Sequence, residues 1–434
     1  MTYQVLVYPN ITYGRDLGAD SYVVAVRSMI RALNAVRDDL EFTMLLPEPV
    51  RSLRFPNVRH VHYPLPRYPN TMRTSFDAPT FVRAIDWRAR SYDVVWSHLP
   101  EHTLQIANVF ANATNERPVI VGYAHWFEVA ENSAYAETML PANLHGILAM
   151  RECGVNSTWL RDLVIDRASH VVAPPLVASL ATRLSVQHLG VDPLTIVPEP
   201  MEHGLVVFNH RANSYTGFPA ACQMFDSMWK RRHDFRVAFT LTNVDAPWAT
   251  RIHATTRDDY LRELSRANVG VGAFRTYSAW SVAVMDGLSV GVPYVLPNRL
   301  CYPEMVGPAY PWLYDDDADM GRLIESVVDN RNEWAIEDIA RGVARRYAWV
   351  DMIKPINAMF DRAIAAIPVA TVTPTYERLR RMARAHVRPS KAALTKAMGW
   401  GGPRVPWTPY RHRLRCDGID LVEPEPAPQQ LEMV

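Results

Sequence analysis

Short and almost unbroken apolar runs recur through the first three hundred residues: Gln4–Tyr8, Glu41–Leu46, Tyr92–Ser97, Val119–Tyr123, Leu205–Asn209, Arg236–Leu241, Val269–Gly272 and Pro293–Pro297. Runs of this length, rich in β-branched residues and bounded by Gly, Pro or Asn, predict strands buried on both faces. Between them the period lengthens to that of a helix. Ser21–Leu33 places Val23, Val26, Ile30 and Leu33 on one face, and Ala220–Arg231, Arg257–Arg266, Trp280–Val290, Met320–Val328 and Glu333–Tyr347 also read as helices. Strands alternating with helices predict parallel sheets in an α/β protein. Residues 47–79, rich in Pro, Arg and Tyr, have no readable period.

The most informative stretch is Ala273–Gly307, AFRTYSAWSVAVMDGLSVGVPYVLPNRLCYPEMVG. A strand leads into a polar loop, a helix ended by Gly291, and a second strand. Ligands of such units sit outside the carboxyl ends of the strands, and helix N-termini take phosphate. The loop from Arg275 to Ser281 is therefore a candidate diphosphate site, with Asp286 within reach of a ribose hydroxyl. The first strand is followed by a loop with two glycines, Gly14 and Gly18, and then a helix, a second ligand-type opening.

The stretch resembles the signature of retaining glycosyltransferases of family 4. That signature has two glutamates separated by seven residues, a small-residue helix, Gly-x-Pro, a strand and Pro-Glu-x-Val-Gly. Gly291-Val-Pro293 and Pro303-Glu-Met-Val-Gly307 match it. Asp286 stands where the second, ribose-binding glutamate is expected, and Ser278 where the first, sugar-holding glutamate is expected. The family's Gly-Arg…Lys-Gly pattern is met by Arg211 and Gly217, with Thr216 in place of the lysine and Arg275 a candidate to supply the missing charge. The resemblance implies the GT-B fold, two Rossmann-like domains facing a cleft. It places the acceptor domain at 1–180, the nucleotide-sugar domain at 194–350, and a helix at 351–366 crossing back to the first. It further implies donor contacts from Arg211, Gly217, Arg275, Ser281, Asp286 and Glu304, with catalytic positions at His125, Asp286 and Ser278. His125, after a first-domain strand, matches a histidine that hydrogen-bonds the transferred sugar, and His98 is its rival. Gly14, Gly18, His98 and Glu128 fall on the acceptor side. The donor is expected to be a UDP- or GDP-sugar, with no tightly bound cofactor and no metal strictly required.

Composition narrows the setting. Of 434 residues 48% are hydrophobic, enough for two or three domains with large cores. No apolar run approaches a membrane span, and the N-terminus reads as a strand and not a leader. The four cysteines are far apart, which argues against a zinc site or disulfide framework and fits a cytoplasmic protein, in the host cytoplasm if phage-encoded.

Charge adds a further element. Between Pro374 and Cys416 stand eleven Lys and Arg and one acid, Glu377, a local +10 in a chain whose total is +1, which leaves −9 for the remainder. This asymmetry suggests an anionic partner. After a linker at 367–374, residues 375–423 suggest a small basic helix-turn-helix or winged-helix unit: a capped helix at Ser390–Met398 ended by Gly399, a second begun by Thr408 and Pro409, and a strand at Gly418–Val422. Trp400, Trp407, Leu414 and Ile419 would form its core. Residues 424–434 read as a disordered tail. In one reading Arg388, Lys391, Lys396, Arg404, Arg411, Arg413 and Arg415 bind duplex DNA, and the acceptor is a hydroxymethylated pyrimidine, as in bacteriophages that sugar-coat their genomes. In a second, the tail rests on an anionic membrane surface and the acceptor is a lipid-linked or cell-surface glycan. In a third, the chain is a catalytically silent GT-B scaffold that binds DNA.

Overall fold

The computed structural model describes residues 2–11, 21–48, 54–64, 75–129, 136–240, 242–330, 335–386, 389–400 and 405–422. The first half builds one sheet from β1 (Tyr3–Tyr8), β2 (Leu40–Pro47), β3 (Val58–Tyr63), β4 (Val94–Ser97), β5 (Val119–Ala124), β6 (Cys153–Val155) and β7 (Leu184–Val186). Its helices are α1 (Ser21–Val36), α2 (Ala78–Ile85), α3 (Pro100–Asn112), α4 (Ala136–Ala149), α5 (Thr158–Ser169) and α6 (Pro174–Arg183). The strand order is β3-β2-β1-β4-β5-β6-β7, with every pair parallel. Such a sheet needs cover on both faces, and two apolar clusters lie on it.

The second sheet contains β8 (Leu205–Phe208), β9 (Arg236–Phe239), β10 (Ala249–Arg251), β11 (Val269–Val271), β12 (Tyr294–Pro297) and β13 (Leu313–Tyr314), in the order β10-β9-β8-β11-β12-β13. It is again parallel throughout. Its helices are α7 (Phe218–Trp229), α8 (Arg257–Ser265), α9 (Val282–Ser289), α10 (Tyr302–Val306), α11 (Asp317–Asn330) and α12 (Ala335–Arg345). Then α13 (Trp349–Ala365) returns to the first sheet, where Trp349, Ile353, Ile356, Met359 and Phe360 pack against Val5, Val7, Met29 and Trp96. The α9 helix begins at Val282, two residues later than its periodicity suggests, because Ser281 caps it by accepting from the Val284 N–H at 3.2 Å.

The basic C-terminal segment is three helices, α14 (Pro374–Ala385), α15 (Lys391–Met398) and α16 (Trp407–Cys416), around Tyr376, Leu379, Leu394, Trp407 and Leu414. Two expectations fail. No strand forms at 418–422, and Thr408 does not cap α16, because its hydroxyl donates to Glu116 of the first domain at 2.7 Å. The module docks on the amino ends of β4 and β5. Arg411 and Arg415 meet Asp93 at 2.5 and 3.1 Å. Lys391 pairs with Glu116 and donates to the Arg90 carbonyl at 2.8 Å. The Lys391 and Arg411 side chains are each 3% exposed, and both partner carboxylates are 0% exposed. Lys391, Arg411 and Arg415 are therefore not open to a nucleic acid, contrary to the sequence-based expectation; they hold the module to the body. Arg413 faces Asp417 on its own helix at 3.4 Å. Lys396 is exposed, and Arg388 and Arg404 lie outside the described residues.

Candidate active site

The carboxyl ends of β8 and β11 carry the two loops singled out from sequence. The loop after β8 is closed by the Thr216 hydroxyl, which donates to the carbonyls of Arg211 and Asn213, both at 2.7 Å. Thr216 thus substitutes a structural bond for the expected cation, and Arg211 is exposed at the loop tip. Gly217 ends the loop at φ 71°, and a Cβ there would sit 1.7 Å from the Ala273 carbonyl oxygen. Only glycine lets the loops after β8 and β11 press together in this way. Next to Arg211, His210 is buried, its Nε2 has no partner among the described residues, and burial lowers its pKa to about 3, so the imidazole is neutral.

Beyond β11, Arg275 is exposed and pairs with Asp317 at the start of α11. Both side chains of this pair are exposed, at the position where the resemblance implies a diphosphate contact. Tyr277 and Ala279 cross into the first domain's core. The Tyr277 hydroxyl accepts from the Phe127 N–H at 3.2 Å, and its ring lies edge-on to Trp126, centroids 4.4 Å apart. Ser278 is buried and donates to the Tyr302 hydroxyl at 3.1 Å, with the Cys301 thiol 3.6 Å away. An uncharged hydroxyl network therefore fills the position where the resemblance implies a carboxylate. Ser281 opens α9 and takes its Val284 N–H; a helix N-terminus is an end that favours an anion.

Asp286, one turn into α9, is buried and paired with Arg257 of α8 at 2.7 Å. Burial raises the carboxyl pKa, and the guanidinium opposes that rise. Around this pair is a cavity of about 440 Å³, lined also by Ser28, Asp192, Trp280 and Trp349, a volume within the range of ligand sites. Its walls come from α1, the 189–195 connection, α8, α9 and α13, so both domains enclose it. Ser28 donates to Asp192 at 2.7 Å, holding a second carboxylate at its edge.

On the first domain, β4 and β5 are neighbours, so the residues just beyond them meet. His98 Nδ1 and His125 Nε2 are 3.4 Å apart, and their rings stack at 18°. His98 is buried against Trp96, and Tyr22 of α1 sits edge-on to His125 at 4.8 Å. Burial lowers the pKa of both rings, His125 to about 3, and the closeness of His125 adds to the effect on His98. The pair is neutral at ordinary pH and suited to hydrogen bonding rather than charge. Glu128 is buried and its N–H donates to Asn143 at 3.3 Å. Gly14 and Gly18 lie outside the described residues.

Glu304 is not presented to a donor. Its carboxylate accepts from the Thr158 and Trp159 N–H groups at 2.8 and 3.2 Å and meets His188 Nε2 at 2.7 Å. A second-domain acid thereby caps a first-domain helix, beside Ser157, which accepts from Leu160 N–H at 3.1 Å. Burial would raise the Glu304 pKa, but His188 and the two N–H groups more than offset it and hold it below the usual range. Sequence reasoning missed Arg257, His188, His210 and Tyr277. Of these, His210 and Tyr277 adjoin motif residues, and Arg257 opens a helix behind a Thr256–Asp259 capping box.

The arrangement of two parallel Rossmann-like sheets is shared with many solved structures. Sucrose-phosphate synthase from Thermosynechococcus elongatus superposes with a TM-score of 0.66 at 14% identity, over 84% of this chain and 100% of that one. The chain has the GT-B fold. Anabaena HepE in complex with UDP and glucose gives a TM-score of 0.60 at 9% identity, over 83% and 100%. The UDP-forming α,α-trehalose-phosphate synthase from Burkholderia vietnamiensis gives 0.59 at 12%, over 84% and 100%. No family model matches the sequence, and no curated protein matches it. In this GT-B chain no described group of three or more His, Cys, Asp or Glu side chains is arranged to hold a metal ion. None of its described helices is long and apolar enough to cross a membrane.

Proposed function

We propose that this chain is a retaining glycosyltransferase that uses a nucleotide sugar, and that its acceptor is a hydroxymethylated pyrimidine in DNA. The observation that carries the transferase reading is Asp286, a buried carboxylate lining an interdomain cavity of about 440 Å³ in a GT-B fold. In this reading the cavity takes the donor nucleoside and Asp286, aligned by Arg257, accepts from the ribose. Arg211 and the N-terminus of α9 hold the diphosphate, whose departure is the electrostatically demanding step. The bond from sugar C1 to the β-phosphate oxygen breaks, the acceptor oxygen takes C1, and its proton passes to the diphosphate. Neutral His125 hydrogen-bonds the sugar. The HepE complex with UDP and glucose and the UDP-forming trehalose-phosphate synthase favour a UDP-sugar over a GDP-sugar as the donor. The DNA acceptor is supported by the basic C-terminal module, which would raise the local concentration of a polymeric substrate.

The test is radiolabel transfer from a panel of nucleotide sugars to duplex DNA containing hydroxymethylcytosine or hydroxymethyluracil, with unmodified DNA as control. Label on modified DNA alone supports the whole reading. Donor hydrolysis without labelled DNA removes the DNA acceptor, and no donor use by the wild type removes the transferase. Asp286→Asn is expected to raise the donor KM about 10- to 100-fold, the loss of a hydrogen bond to a charged group worth ~1.5–3 kcal/mol.

A further inference from the structure

Resting on the reading of DNA as the polymer acted on, we propose that the outward face of α14, carrying Arg378, Arg381 and Arg384, is a docking surface for the phosphate backbone of duplex DNA. Docking and the module's own acids match five of its eleven Lys and Arg. Lys391 is matched by Glu116, and Arg411 and Arg415 by Asp93. Arg380 is matched by Glu377 and Asp417, and Arg413 by Asp417. Of the other six, Arg388 and Arg404 lie outside the described residues and Lys396 is exposed on α15; Arg378, Arg381 and Arg384 stand together on α14, all three exposed, and no ion pair involving them is formed among the described residues.

Their placement follows from helical geometry. At 100° per residue the three arginines share an arc of about 120°, opposite the line of Tyr376, Leu379 and Ala383 that the module buries. From Arg378 to Arg384 the helix rises about 9 Å, the axial rise of between two and three nucleotides at ~3.4 Å each. Glu377 falls in the same arc but is neutralised by Arg380 at 2.7 Å. The arginine fork suits phosphate oxygens. A lipid surface fits less well, because the aromatic side chains that would enter it are engaged. Trp407 is buried in the module, and Trp400 packs on Trp407 and Tyr410 with centroids 6.0 and 4.9 Å apart.

This face also lies away from the chemistry. The module sits at the amino ends of the first sheet, near Asp93, whereas His98 and His125 lie past the carboxyl ends. Along β4 the two edges are about 13 Å apart, at ~3.3 Å per residue. The α14 face therefore holds the polymer and does not read or position the reacting base.

The test uses the full chain and its R378Q/R381Q/R384Q and R378E/R381E/R384E variants. Binding to an unmodified 30-bp duplex is measured by fluorescence anisotropy between 50 and 200 mM salt, with thermal unfolding as the check that the exposed substitutions leave the fold intact. Three phosphate contacts contribute a slope of about 2.7 in log K against log salt, so the glutamine variant should lose about 40-fold of the wild type's salt sensitivity over that range. The KM for modified DNA should rise while kcat at saturating DNA and donor hydrolysis without DNA stay as in the wild type. An unchanged Kd and slope overturns the proposal. Arginine-dependent binding to phosphatidylserine vesicles with no such dependence for DNA also overturns it, in favour of a membrane. Wild-type protein that binds DNA through these arginines but hydrolyses no donor leaves the docking surface standing and removes the transferase reading.

Discussion

At the scale of single residues, the cleft is built from side chains whose ionisation is displaced by burial. His125, with a pKa lowered to about 3, and His98 and His210, lowered likewise, are neutral in the folded chain. The unfolded chain protonates its histidines near pH 6.5, so below that value it binds more protons than the native state, and native stability falls with pH. Unfolding followed from pH 8 to 5 should show this loss beginning near pH 6.5, and His125→Gln should flatten it; a slope unchanged by the substitution would remove His125 as a cause. Glu304 acts with the same sign in a lower pH window. Its folded pKa is depressed, so its contribution is complete above the unfolded carboxylate range and disappears as pH falls through the folded value. Glu304→Gln should cost about 1 kcal/mol near neutral pH, the scale of a lost helix cap, and the gap between the two proteins in urea unfolding should close as pH falls below 4.

At the scale of elements, the strands that read clearly were those buried on both faces, since burial there leaves a continuous apolar run. The β3 strand is different. Val58-Arg-His-Val-His-Tyr63 is an edge strand half-buried along its whole length, so polar side chains interrupt its pattern and nothing in the sequence marks it as part of the sheet. The strands β6, β7, β10 and β13 have two or three residues each, too few to show a period. The site was legible where one motif spans it, from Ser278 to Gly307. It was not legible where partners come from separate elements: Arg257 reaches Asp286 across 29 residues, and Glu304 reaches Thr158 across 146. The loop contact at Gly217 is tighter than any pattern could indicate. Gly217→Ala adds a Cβ against the Ala273 carbonyl at a positive φ, and it should destabilise by several kcal/mol, about 1 of it from the backbone alone. Calorimetry of the variant, together with donor binding, would check this, and unaltered values of both would contradict the close approach.

At the scale of the whole molecule, the C-terminal module is the part whose charge was visible in the sequence while its destination was not. A count of arginines and lysines cannot tell an external anion from a carboxylate buried in the same chain. Here two carboxylates, Asp93 and Glu116, take three of those cations. Removing one member of such a buried pair leaves the other charge stranded, at a cost of about 3–5 kcal/mol, whereas replacing both with apolar groups is far milder. Lys391→Met should therefore unfold at markedly lower denaturant concentration than the wild type, and Lys391→Met combined with Glu116→Leu should recover much of the loss. Deleting the module instead opens Asp93 and Glu116 to water and removes the apolar cover at the base of the first domain.

The docking also gives the order of synthesis a physical meaning. Glu116 leaves the ribosome 275 residues before Lys391, an interval of roughly 14–55 s at ~5–20 residues per second. Throughout it the first domain holds two acids at its base without their counter-ions, and for most of it the crossing helix that covers its sheet is also still to come. The first domain reaches its final form only when the last part of the chain arrives, so a prematurely ended polypeptide carries an unfinished, protease-sensitive first half.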